Sequence, residues 1–279
     1  MQVIFDLFNV IFFQPLVNLV VLILRLLDAS HIPGSLALAI VVLTVLIRLV
    51  LWPLMHTQLK SSKKMADLKP HLDALKKKHG EDKQAYAKAQ MDLYKEHGIN
   101  PAGGCLPALL QIPLILALYQ VISSLFDPHG LARINQALYD QSWRLTTPPD
   151  PHFFGLNLAD KPQQFAQIGF LVLLIPVITA LLQFIQSKMM VPASPIKIRP
   201  QDSPKEKKEK AQTEDSMQAM QGQMTYLMPI MIGYFAFSFP IGLAIYWNTF
   251  TILGIIQQYK ISGWGSLPSL ISSLPLKKR

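Results

Sequence analysis

The sequence predicts an all-α membrane protein: five transmembrane helices around a hydrophilic groove, an N-terminal interfacial amphipathic helix and a cytoplasmic helical hairpin. Three observations lead there. The 279 residues are 51% hydrophobic and only 15% charged, whereas soluble domains carry about 25% charged residues. Five apolar stretches, residues 35–56, 105–126, 163–187, 223–239 and 241–259, approach or reach the ~20 residues that cross a bilayer. One of them holds a permanent charge near its middle, Arg48, with twelve residues of the apolar run before it and seven after.

Residues 1–30 lack a basic start and a small-residue cleavage site, which speaks against a removable signal peptide. The segment 3–27 reads as a sixth span or as a helix at the membrane surface. Gln14, Asn18, Arg25 and Asp28 fall within about 80° of one another at 100° per residue. That polar stripe, beside Leu16, Leu19, Val20, Ile23 and Leu27, favours a helix lying in the outer interface.

The span 35–56 is the informative one. A central Arg costs roughly 3 kcal/mol to insert, while the thirteen Leu, Ile and Val residues of the run return about 6 kcal/mol. A guanidinium cannot shed its proton, so it needs water, partners or an interface. An intramembrane charge of this kind marks a functional site by default. Snorkelling is the competing reading, and from this depth it requires a shifted or thinned bilayer.

Residues 57–104 remain helical in period but turn basic, with ten Lys against six acids. Leu68, Leu72 and Leu75, then Ala85, Ala89 and Leu93, form two narrow apolar stripes. Gly80 suits a C-cap between them, and Glu81 and Asp82 suit the next helix start. This is the pattern of an antiparallel hairpin. Its lysines read as a solvated face, able also to attract anionic lipids or ribosomal RNA. No motif for sequence-specific nucleic-acid recognition accompanies them.

Spans 105–126 and 163–187 flank the segment 127–162, which has three basic and four acidic residues. Residues 188–222 hold seven basic and five acidic residues; their stretch 191–216 carries four prolines and reads as a disordered linker. Spans 223–239 and 241–259 follow, then a basic tail, 260–279. Orientation follows Lys and Arg counts. The Lys-rich segments and the C-terminus therefore face the cytoplasm, and 127–162 faces outside, as does the N-terminus if the first helix is interfacial.

Enzymatic chemistry is not suggested. The sequence has no Cys-x-x-Cys or His-Glu-x-x-His spacing and no phosphate-binding loop, and its one cysteine, Cys105, cannot form an internal disulfide. No metal or cofactor is expected. Apart from Arg48, the five spans contain no Asp, Glu, Lys or other Arg, which argues against a proton-coupled carrier. Uncharged polar residues recur in them, among them Thr44, Gln111, Gln183 and Asn248. Each alone can be interhelical glue worth about 0.6 kcal/mol. Converging on Arg48, they would make a wet internal groove.

Several blocks together carry a family likeness: Gln14-Pro15-Leu16, Val42-Leu43-Thr44-Val45-Leu46-Ile47-Arg48, and Asn100-Pro101-Ala102-Gly103-Gly104-Cys105-Leu106-Pro107. Gln111-Ile112-Pro113, Met228-Pro229, Phe239-Pro240-Ile241-Gly242-Leu243, Tyr246-Trp247 and Gln257-Gln258 extend it over nearly the whole chain. The chain resembles the YidC membrane protein insertases and their mitochondrial and chloroplast relatives, in a minimal form without a large extracytoplasmic domain. The resemblance implies a bacterial inner-membrane insertase with a groove open to the cytoplasm and the lipid and closed to the outside. By resemblance, Arg48 matches the family's groove arginine, and Gln183 and Trp247 match groove-lining positions. Implied partners are nascent membrane proteins with short acidic or polar tails, the ribosome and a Sec translocon. Two rival readings remain open from the residues alone: a small-anion carrier or channel with Arg48 as its selectivity charge, and a scaffold that binds membrane proteins without inserting them.

Overall fold

The computed structural model describes residues 2–79, 82–99, 106–127, 129–191 and 211–268. Gly80, Glu81, the block 100–105, most of the expected linker and the end of the tail lie outside the described residues.

The chain opens with α1 (Gln2–Phe8), one π-helical segment at Asn9–Phe13 and α2 (Gln14–Ala29), which together make a continuous helix. The π segment ends two residues before Pro15, whose missing N–H and ring disturb the normal register of the preceding turn. A turn through His31 and left-handed Gly34 (φ 73°) leads into α3. The Phe153 ring lies against Gly34, and a Cβ there would collide with it.

Helix α3 (Ser35–Asp67) runs 33 residues, about 50 Å at 1.5 Å per residue. The expected boundary at residue 56 is therefore not a helix end. α3 is longer than the ~30 Å hydrocarbon layer and carries on without a break into the Lys-rich region. Helices α4 (Lys69–His79) and α5 (Lys83–Glu96) then pack against each other as the hairpin. Asp82 caps α5, its carboxylate accepting the backbone N–H groups of Gln84 and Ala85.

Helix α6 (Leu106–Phe126) follows, then a compact 127–162 segment. That segment holds the short helix α7 (Gly130–Gln136), a 3-10 turn at Gln141–Trp143, and a two-residue antiparallel hairpin. In the hairpin His152 faces Asn157 and Phe153 faces Leu156. Asp140 and Asp150 accept the backbone N–H groups of Ser142 and His152, which holds both carboxyls below the usual range. A 3-10 turn at Pro162–Gln164 and the helical turn α8 (Phe165–Ile168) lead to Gly169, which breaks the helix at φ 102°. A second 3-10 turn and α9 (Leu174–Met190) follow. The third span thus starts later than residue 163 and ends beyond 187.

Helix α10 (Ala211–Ser238) starts inside the stretch read as linker. Ala, Gln, Glu and Met dominate residues 211–222, and these are strong helix formers. Helix α11 (Ile241–Ser262) closes the bundle. Pro240 lies between the two, and the first backbone donors of α11 are met from outside the helix: Ile241 N–H donates to Asp160 O and Gly242 N–H to Leu158 O.

By length and apolarity, four helices among the described residues can cross a membrane: Gln2–Ala29, Ser35–Asp67, Leu109–Phe126 and Phe170–Met190. This count differs from the five expected. It admits the N-terminal segment read as interfacial, and α10 contributes only the shorter apolar stretch Thr225–Ser238. α11 is left out because Trp247, Asn248, Gln257 and Gln258 dilute its apolar character. Its polar residues have a use inside the bundle.

The dry core lies at one end. It joins Leu16, Val20 and Leu24 of α2, Leu36, Ile40 and Leu43 of α3, Leu118, Val121 and Leu125 of α6, and Ile241 and Leu243 of α11. Ile134, Leu138 and Leu158 of the 127–162 segment complete it. Outward, Leu49, Val50, Leu109, Ile112, Val177, Leu181, Leu227 and Ile230 stand exposed. So broad an apolar surface fits a protein whose solvent is lipid.

Candidate functional site

One turn along α3 from the dry core the packing opens. Arg48, Gln58, Gln111, Gln183, Gln186 and Gln258 surround a cavity of about 240 Å³. Tyr246, Trp247, Phe250 and Thr251 of α11, with Met55, Leu59 and Met190, form its remaining walls. Helices α3, α6, α9 and α11 contribute the lining, and on α11 it begins at Tyr246, whose ring also belongs to the dry core. The opposed chain directions explain the placement. Gln111 comes early in α6 and Gln183 late in α9, so both arrive at the same level.

Arg48 is 3% exposed. Its Nη2 donates to Gln257 Oε1 at 3.2 Å, and its guanidinium carbon lies 4.3 Å from the centroid of the Phe250 ring. Among the described residues no carboxylate pairs with it. Its Nε–H is buried without a partner. A buried cation left without an anionic partner is costly unless polar groups or water solvate it. Here those groups are neutral amides and an aromatic face.

The amide lining is only partly satisfied from within. Gln111 Nε2 donates to the Tyr246 hydroxyl at 2.7 Å, and Trp247 Nε1 to Gln183 Oε1 at 3.4 Å. Gln111 Oε1 and Gln258 Oε1 have no partner. The site therefore offers a free donor, Arg48 Nε–H, and two free acceptors. Water or a polar chain can satisfy both kinds at once.

Of the residues singled out from sequence, Arg48, Gln111, Gln183 and Trp247 meet in this cavity. Thr44 does not line it. It is fully buried in the dry core, and its hydroxyl donates to the Ile40 carbonyl at 2.6 Å. Asn248 is also absent from the lining, because its helical position turns it about 100° past Trp247. Gln58 and Gln186 were not singled out. The spacing of Gln186 three residues after Gln183 on one helix face was a usable signal; Gln58 lay just past the assumed end of its span.

A second cavity of about 560 Å³ lies beyond the first and shares Leu59, Met190 and Gln258 with it. Lys63, Asp67, Ser262 and Trp264 are among its walls. Lys63 Nζ donates to Ile261 O at 3.1 Å, and Ser266 Oγ to Lys188 O at 2.9 Å, tying the helix ends together there. Lys63, Lys188 and Trp264 are the residue types found where a bilayer meets water.

The family model described as 60Kd inner membrane protein matches residues 28–265. A membrane protein insertase YidC of Fusobacterium nucleatum is 32% identical over 233 residues, covering 84% of this chain and 89% of that protein. The membrane protein insertase YidC 1 of Halalkalibacterium halodurans is 33% identical over 242 residues, covering 84% of this chain and 73% of that protein. A YidC of Rickettsia rickettsii is 32% identical, and this chain spans 36% of its length. Among solved structures, an active YidC insertase crystal structure with the first transmembrane domain resolved matches with a TM-score of 0.51 and 25% identity, over 88% of this chain and 45% of that one.

Proposed function

The chain belongs to the YidC family of membrane protein insertases, and on that footing we propose that it moves short polar segments of client membrane proteins through the Arg48 cavity and releases their apolar segments into the bilayer. It is a multi-pass membrane protein, and the step needs no covalent chemistry. A polar tail entering hydrocarbon loses its water, at several kcal/mol for each group left unpaired. A cavity walled by glutamines and one unpaired cation lowers that cost and attracts acidic side chains in the tail. The client's apolar segment then leaves sideways, driven by removal of its surface from water.

The observation that carries this reading is Arg48, almost fully buried with no carboxylate partner among the described residues. The charge is held for something that arrives. Positive-inside bias sets the hairpin, the second cavity and the C-terminus on the cytoplasmic side, with the 127–162 segment sealing the opposite end. The hairpin lysines then stand where a ribosome, a Sec translocon or anionic headgroups would be met. A small-anion carrier would use the same charge but gives the α4–α5 hairpin no role.

The test is reconstitution. Purified protein in liposomes should confer protease-protected insertion of a single-span client with an acidic tail, and Arg48→Ala should lower the rate about tenfold, the order of one charge-assisted contact. Equal rates for wild type and variant would remove Arg48 as the attractor. No insertion above empty liposomes by folded protein would sink the insertase reading.

A further inference from the structure

Arg48 rests on one face of α11, and nothing on that face is charged. Phe250, Gly254 and Gln257 follow at spacings of four and three residues, so they stack along one side of the helix. The Phe250 ring lies under the guanidinium, 4.3 Å from its carbon. At Gly254 a Cβ would press on Gln186 Nε2 first and stand 2.8 Å from Arg48 Nη2 and 3.5 Å from Cζ. The missing side chain makes room for both the Gln186 amide and the guanidinium against the helix. Gln257 closes the contact: its Oε1 accepts from Nη2 at 3.2 Å, and its own Nε2 donates to the Trp52 carbonyl of α3 at 3.1 Å. With both ends of its amide engaged and 1% of its surface exposed, Gln257 is fixed in place.

We propose that Gln257 is the positioning residue for Arg48, the key part of an uncharged cradle that fixes the guanidinium and leaves its charge available to a client carboxylate. This deepens the insertase reading and rests on it. A carboxylate at the same position would hold Arg48 by a stronger, charge-assisted bond, but it would cancel the field that the arriving tail responds to. An apolar residue would leave the charge intact but free Nη2 to move. Glutamine does neither. It supplies the acceptor without the charge, and its second contact, to Trp52 O, registers α11 against the helix that carries Arg48.

The experiment uses the full chain in liposomes with two single-span clients that differ only in the tail, one acidic and one neutral and polar. The readout is the ratio of their insertion rates, acidic over neutral. Wild type should favour the acidic tail. In Gln257→Met, which keeps length but has no acceptor oxygen, the ratio should fall about fivefold or more toward unity, the order of one hydrogen bond to a charged group. Loss of the Trp52 O contact slows both clients alike, so the ratio, rather than either rate, reads the effect on Arg48. Gln257→Glu, which keeps the acceptor toward Arg48 but gives up the donor to Trp52 O, should lose the acidic preference as well, because it neutralises Arg48.

A purely structural role for Gln257 would slow both clients together and leave the ratio alone; that result in Gln257→Met overturns the proposal. Persistence of the acidic preference in folded Gln257→Glu overturns it equally. A wild type that inserts both clients without preferring the acidic tail removes the charge the cradle would serve. A wild type that inserts neither defeats the insertase reading itself, and is told apart from the other outcomes because no ratio exists to measure.

Discussion

Tyr246 shows how single side chains define the boundary between dry core and polar cavity. Its ring is fully buried against the core, while its hydroxyl accepts from Gln111 on the cavity wall. Tyr246→Phe keeps the ring and strands Gln111 Nε2, which can turn toward the cavity instead. The expected loss is about 1 kcal/mol, seen as a fall of a few degrees in the unfolding midpoint of detergent-solubilised protein. At this scale the sequence is readable where a polar residue interrupts an apolar run, as Arg48, Gln111 and Gln183 do; Trp247 is reached only through the family resemblance. The sequence is unreadable where the same polarity has a local use. Thr44 looks like a groove residue in the sequence, yet it spends its hydroxyl on the preceding turn of its own helix. Gln257 is visible only as part of a recurring pair until α3 is laid beside it, because its meaning is its contact with Arg48 and Trp52.

Elements were legible in kind and less so in extent. The hairpin reading rests on its two apolar stripes, on Gly80 as the cap between them and on Glu81 and Asp82 at the next helix start; the structure has both helices and the Asp82 cap, while Gly80 and Glu81 lie outside the described residues. Boundaries shifted where helix propensity outweighed composition: α10 begins at Ala211 in a polar stretch, and α3 runs to Asp67 through the change from apolar to basic. The N-terminal helix is the instructive case. Its polar stripe suits a face toward the membrane surface, but two of its four members, Asn18 and Arg25, bond to protein. Asn18 Nδ2 donates to Ala137 O at 2.9 Å, Asn18 Oδ1 accepts from Tyr139 N–H at 2.8 Å, and Arg25 Nη1 donates to Ser142 O at 2.7 Å. A helical wheel shows that a stripe needs partners, not which ones. Asn18→Ala should therefore uncouple α2 from the 127–162 segment. It strands a buried carbonyl and a backbone N–H, at a cost of about 2 kcal/mol. Faster limited proteolysis within 127–162, with little change in the α4–α5 hairpin, is the expected result.

At the scale of the whole molecule, the bundle is divided along its length into a dry half and a polar half. Packing of α2, α3, α6 and α11 with the 127–162 segment closes one end, and polar residues of α3, α6, α9 and α11 line the cavity next to it. The basic segments predicted to stay in the cytoplasm adjoin the open end, where Lys63 and Lys188 lie. This division was only half legible in the sequence, because it depends on which helices run in opposite directions at one level. The central claim is that client tails pass through the Arg48 cavity, and site-specific photocrosslinking during insertion tests it most directly. A photoreactive residue at Gln183, inside the cavity, is compared with one at Val177, exposed on the same helix. The acidic tail of the client should crosslink to position 183 early and transiently, and not to position 177. Insertion proceeding at full rate with the tail never captured at 183 would contradict it.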